Sequence, residues 1–217
     1  VQAIIYTESD SARGVYRDIL RQSGSIVNTE LEAKTLNDWG YLESVHGDLA
    51  EAERLYRDAL DLWQQLSDSS EMARSHGRIA VLFYMYGDID SAINYVTRGY
   101  DLSAPGSETY AITAANHSLY LRSANRYPEA LAAALESLEY FEAEQDSGQI
   151  VFLTNNIGYL YFCMQLYEEA EQWHERTLAI GRTNRDTMTQ AMGLLGVADA
   201  LAQKPGADKT GANYEEA

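Results

Sequence analysis

An alanine in a fixed neighbourhood returns along this chain at Ala12, Ala52, Ala92, Ala130 and Ala170, at intervals of 40, 40, 38 and 40 residues. A second landmark keeps step with it, because small residues stand at Gly40, Ala80, Ser118, Gly158 and Gly196, 40, 38, 40 and 38 apart. A period of this length means stacked supersecondary units, each burying its apolar face against its neighbours rather than around one central core. The fold is constrained before any other property is considered.

Each unit reads as a helical hairpin. In the first complete one, Leu36, Trp39 and Leu42 fall at helical spacing over residues 33–46, and Gly40 allows a second helix to approach closely. Gly47-Asp48 ends that helix, and Asp48 has the chemistry of an N-cap for the next. Residues 49–66 then carry Ala52, Leu55, Tyr56, Ala59, Leu62, Trp63 and Leu66, an apolar stripe of i, i+3, i+4, i+7 spacing. The same grammar predicts second helices over residues 89–102, 129–144 and 168–180. Pro128 stands where the helix over 129–144 should start, a place where a missing N–H costs nothing. Three prolines in 217 residues and no alternating β-branched runs argue for an all-α chain.

The sequence Leu36-x2-Trp39-Gly40 followed by Ala52-x3-Tyr56-x2-Ala59 resembles the tetratricopeptide repeat, and Ile157-Gly158-x2-Tyr161 with Ala170 resembles it again. The likeness covers residues 1–203. It implies a right-handed α-α superhelix, a solenoid of helical hairpins, of the long-period kind found in kinesin light chains, Pins-type adaptors and bacterial maltose-type regulators. The period is nearer 40 than the family's usual 34 and the closing proline is missing, so longer helices or turns are expected. His117-Ser118 and Asn125 make the third unit degenerate, the latter where a turn glycine often sits. The expected organisation is one repeat domain over 1–217, with repeats at 31–70, 71–108, 109–148 and 149–186. Partial units at 1–30 and 187–217 suggest a segment of a longer protein: Asn213-Tyr-Glu-Glu-Ala217 echoes Leu166-Tyr-Glu-Glu-Ala170 after a Gly/Pro/Lys break at 204–211.

With 33 acidic against 16 basic side chains and a net charge of −17, the chain lacks the clustered cations that phosphate neutralisation demands, so direct nucleic-acid binding is not expected. The acids concentrate on second helices, as a solvated outer face does. The longest apolar run, residues 79–86, is far short of the ~20 residues a membrane span needs, and no signal peptide is visible. A single cysteine, Cys163, excludes an intrachain disulfide and suits a cytoplasmic protein.

Catalysis is not expected. The one tempting nucleophile–base pair is Cys163 with His174, on successive helices and without an oxyanion donor. The four histidines are spread one per unit without metal-ligand spacing, so neither metal nor cofactor is expected, and His117 and His174 fall at positions that should pack.

What remains is a surface. In the family's arrangement first helices line a concave groove, and carrying that over implies groove positions at Lys34, Asn37, Asp38 and Tyr41, then Arg74, Arg78 and Tyr84. Asn116 and Arg122 follow, and then Phe152, Asn155, Asn156, Tyr159 and Phe162. Asparagine can pair with a peptide bond through both donor and acceptor, so Asn116 and Asn156 are expected to grip an extended backbone. Arg74, Arg78 and Arg122 make a positive strip suited to a carboxylate. The family's full carboxylate clamp is not reproduced, because Asn37 and Tyr41 stand where its first lysine and asparagine would be. Two functions fit: a protein-interaction or scaffold module holding a peptide or helix, from another protein or another domain of the same polypeptide, or a ligand-sensing domain of a bacterial transcription or signalling regulator. Self-association through apolar faces at the ends is a third expectation, carried by Ile4, Ile5, Val15 and Ile19 and by Leu194, Leu195, Val197 and Leu201.

Overall fold

The computed structural model describes residues 11–22 and 28–204, and all its regular structure is α-helical. Residues 11–22 are helical (α1), followed by α2 (Thr29–His46), α3 (Leu49–Leu66), α4 (Ser69–Tyr86), α5 (Ile89–Leu102) and α6 (Glu108–Ser123). Then come α7 (Tyr127–Ala143), α8 (Ser147–Cys163), α9 (Tyr167–Asn184) and α10 (Thr187–Gln203). The chain forms two compact units, Val1–Tyr120 and Leu121–Ala217, whose boundary falls inside α6.

One local device makes turns both within and between the hairpins. A residue in the left-handed conformation ends one helix and the next residue opens the following helix, as at Gly47-Asp48, Ser67-Asp68, Gln145-Asp146 and Arg185-Asp186. The cap residue's N–H returns to the carbonyl five residues back, as in Asp48 to Glu43 at 3.0 Å and Asp186 to Gly181 at 2.9 Å. Its carboxylate accepts from the new helix's first turn, Asp48 from the N–H of Glu51 at 3.1 Å and Asp68 from that of Glu71 at 3.0 Å. Asn125 takes the left-handed conformation at φ 60° ahead of α7, the position where the sequence pattern has a glycine. There Pro128 sits in the first turn and no side chain caps the helix. Three helices differ in their bounds from the sequence expectation: α2 starts at Thr29 rather than Ala33, α7 runs Tyr127–Ala143 rather than 129–144, and α9 runs Tyr167–Asn184 rather than 168–180. Asn28 accounts for the first, accepting from the N–H of Leu31 at 3.0 Å.

In unit 1, α2 packs on α3, α3 on α4 and α4 on α5. Leu36 and Ala33 meet Leu55, Ala59 and Trp63, and Ile79 and Leu82 meet Ala52, Tyr56 and Leu60. Each fully buried large side chain of this kind contributes about 1.5–3 kcal/mol. The repeating small residues explain the close approach. A Cβ at Gly40 would lie 2.7 Å from the Tyr56 ring, so the tyrosine of α3 closes directly on the backbone of α2. Tyr120 of α6 enters the same kind of seam, packing with Ala80, Ala92 and Val96.

α1 is held on α2 by an ion pair. The Arg13 guanidinium donates twice to the Glu43 carboxylate, at 2.7 and 2.6 Å, and Trp39 Nε1 donates to the same carboxylate at 2.6 Å. Tyr16 stacks on Trp39. Arg13's hydrogen bonds hold the Glu43 carboxyl below its usual pKa against the opposing effect of burial.

In unit 2, α7 packs on α8, α8 on α9, and α9 on α10. Leu153, Ile157 and Leu160 of α8 are fully buried, and Thr177 of α9 donates to Thr154 of α8 at 2.9 Å. His174 of α9 occupies the position of Tyr56. Its ring fills the space between Gly158 and Gly196, where added Cβ atoms would fall 2.8 and 2.2 Å from ring atoms. It is 5% exposed and its Nδ1 has no partner, so burial lowers its pKa, with Asp199 pulling the other way.

Among the described residues, no helix is long and apolar enough to cross a membrane. Of the side chains expected to support self-association, Val15, Leu194, Leu195 and Leu201 are exposed, while Ile4 and Ile5 lie outside the described residues.

Candidate functional site

The first helix of each hairpin presents the variable side chains, and in each unit the structure gathers some of the groove positions into a cleft. In unit 1 a cleft of about 260 Å³ opens between α4 and α6, lined by Arg74, Arg78 and Asn116 together with Gly77, Val81 and Ile112. A Cβ at Gly77 would meet nothing within 4 Å, so the missing side chain leaves the space open. Val81 and Ile112 are exposed and make an apolar wall.

The two arginines of this cleft differ. Arg74 is committed, with Nη1 at 2.9 Å from the Glu71 carboxylate and Nε donating to Thr109 Oγ1 at 3.2 Å. Arg78 is not: no acid pairs with it among the described residues, and its buried Nη1 has no hydrogen-bond partner. A half-buried guanidinium without a counter-ion pays desolvation that a bound anion would offset. Other arginines of this acidic chain do have carboxylates, as Arg54 has Glu51 and Asp58, and Arg57 has Glu53.

The remaining unit 1 positions lie outside that cleft. Lys34 is paired with Glu30 at 2.5 Å. Tyr41 and Asp38 are exposed on α2, and Tyr84 of α4 packs on the buried Tyr120 with ring centroids 4.9 Å apart. The expectation for Asn37 is corrected. It is 3% exposed with Oδ1 unpartnered, because its side chain turns into the unit rather than outward.

In unit 2 a second cleft, of about 250 Å³, brings together Arg122, Asn155 and Tyr159 with Phe162, His174 and Asp199. Phe152 is exposed on α8 outside it. The expectation that Asn156 grips a ligand backbone is also corrected, since this residue is 2% exposed and its Oδ1 accepts from Arg122 Nη1 at 2.6 Å. The Arg122 guanidinium lies over the Tyr159 ring, 4.9 Å from its centroid.

Position in the repeat selected Arg74, Arg78, Asn116, Arg122, Asn155 and Tyr159. It passed over Gly77, Val81 and Ile112, because a hole left by a glycine and two exposed aliphatics are visible only once α4 and α6 are side by side. Cys163 and His174 form no working pair: the imidazole is closed in by the backbone of Gly158 and Gly196, and the cysteine's neighbour is Tyr127.

Tetratricopeptide repeat models match residues 31–104 and 153–183. No curated protein sequence matches the chain. Among solved structures, BtubC (BKLC) from P. vanneervenii is similar with a TM-score of 0.76 and 21% identity, over 91% of this chain and 87% of that one. The apo form of RapI is similar with a TM-score of 0.70 and 20% identity, over 79% of this chain and 64% of that one. A Podosopora anserina putative kinesin light chain of nearly identical TPR-like repeats reaches 0.67 at 11% identity, over 78% and 85%. At these identities the likeness shows the fold alone, the all-α helical-repeat superhelix. With its capped turns, its small residues at helix seams and its two matched segments, the chain carries tetratricopeptide repeats at residues 31–104 and 153–183.

Proposed function

We propose that this chain is a protein-interaction module whose first helices dock a segment of a partner protein, and that the unit 1 cleft takes an acidic side chain flanked by an aliphatic one. The observation that carries this is Arg78, a half-buried guanidinium with an unpartnered Nη1 in a chain of net charge −17. Asn116 lines the same cleft and supplies an amide for the segment's backbone. Val81 and Ile112 supply the apolar contact, and Gly77 the room. Docking of this kind is non-catalytic and needs neither metal nor cofactor.

The test is a displayed peptide library panned against the chain, followed by fluorescence anisotropy of the enriched peptides. The selected sequences should carry Asp or Glu beside Leu, Ile or Val. Arg78→Gln, which removes the charge, and Gly77→Leu, which fills the cleft without backbone strain, should each weaken binding about tenfold or more. Peptides that bind both variants as tightly as the parent would refute the assignment.

The second reading, a ligand-sensing regulatory domain, is favoured by one observation. The unit 2 cleft has walls from α8 and α10, with His174 and the Arg122 guanidinium in its lining, a charged and partly enclosed setting for a compact ligand.

A further inference from the structure

Arg122 is held differently from every other arginine in unit 2. Its Nη1 donates to the Oδ1 of Asn156, itself 2% exposed, and its guanidinium plane rests on the Tyr159 ring at 4.9 Å. The buried amide fixes the direction of the fork and the aromatic face fixes its plane. An arginine so restrained loses little rotamer freedom when it meets a planar anion. Yet no carboxylate pairs with it among the described residues. Elsewhere in the same unit Arg126 is matched to Glu129 at 2.6 Å, and Arg176 is paired with Glu142. One N–H of five is committed to Asn156, which leaves donors for the two oxygens of a carboxylate.

The surroundings define the rest of the ligand. Phe162, Met192 and Leu195 are apolar walls of the cleft. Its volume, about 250 Å³, exceeds the ~150 Å³ that accommodates benzene, leaving room for a ring and a short acid chain. Asp199 also lines the cleft and forms no ion pair with Arg122, so a second negative charge on the ligand would be repelled. His174 also lines the cleft, and its burial favours the neutral ring.

We propose that the unit 2 cleft is a receptor for a small apolar monocarboxylate, with Arg122 binding the carboxylate, Asn156 and Tyr159 positioning Arg122, and Phe162, Met192 and Leu195 enclosing the apolar body. This site stands on its own geometry and does not depend on the Arg78 cleft. The same chemistry could come from the C-terminal residue of a peptide, and the experiment separates the two sources.

The experiment is an amide NMR titration of the whole chain with 3-phenylpropionate and, as a matched neutral probe, 3-phenylpropanamide. The acid should bind about tenfold or more tightly than the amide and should perturb α8 and α10. Arg122→Gln should remove that preference, Asp199→Asn should strengthen acid binding, and Arg78→Gln should change neither. If Arg122→Gln fails to fold, Arg122→Lys serves instead, keeping the charge but losing the fork, with a preference reduced rather than absent. Equal binding of acid and amide, or a preference that survives Arg122→Gln, would overturn the proposal. So would an acetylated tripeptide ending in phenylalanine carboxylate binding more tightly than the free acid, since the occupant would then be a chain terminus.

Discussion

The seam between α8 and α10 shows how single residues set the spacing of a repeat. In unit 2 an imidazole stands where unit 1 has the phenol of Tyr56, and both rings press against glycine. Gly196→Ala would place a methyl group 2.2 Å from His174 Nδ1, while Gly158 blocks the ring's retreat on the other side. The variant should lose about 1–3 kcal/mol in urea unfolding despite its better helix propensity. Combining it with His174→Ala should restore part of that loss, and a neutral single variant would contradict the wedge. The same ring makes stability depend on pH. Burial lowers the folded pKa of His174 and of His76, with Arg98 adding to the effect at His76 and Asp199 opposing it at His174. The unfolded chain therefore takes up protons first, near pH 6.5. Stability is full above that pH, falls as pH drops toward the folded values, and levels off below them. His174→Leu should flatten the decline, and an unchanged profile would remove His174 from the account. The landmark glycines were legible in the sequence because they recur; the wedge was not, since a histidine at a core position does not announce which backbone it touches.

At the scale of the helix, the least regular attachment is that of α1. Arg13 and Glu43 are paired across the α1–α2 contact, the carboxylate nearly fully buried and the guanidinium partly exposed. Arg13→Ala strands a buried charge, so it should cost about 2–3 kcal/mol and exceed the cost of Glu43→Ala, which strands a cation that can reach water. In either variant, hydrogen exchange over residues 11–22 should speed up before that of α3. The opposite order of the two costs would mean that the pair is not what fastens α1. Because the Glu43 pKa is lowered in the fold, its contribution is full above the unfolded value near 4.3 and is lost as pH falls through the folded value. Helix α3 was legible to its ends, from Asp48 at one side to an apolar stripe reaching Leu66 at the other. The Arg13–Glu43 pair was invisible, being 30 residues apart in a chain with acids at every turn.

Among the described residues, Arg78 and Arg122 line the two clefts without an acid, whereas Arg74 beside Arg78 and the arginines at 54, 57, 126 and 176 have one. The proposed docking role rests on those two arginines, Arg78 on α4 and Arg122 on α6, while much of the acid lies on the second helices. Family position pointed to both arginines, but it could not tell a committed Asn156 from an available Asn116, because that distinction depends on which neighbour reaches the amide first. The most direct test of the central claim is amide NMR mapping of the whole chain during titration with the strongest acidic–aliphatic peptide selected by display. Perturbations concentrated at residues 74–81 and 109–116, and lost in Arg78→Gln, are the expected result; shifts that instead track α3 and α5, and survive that substitution, would contradict it.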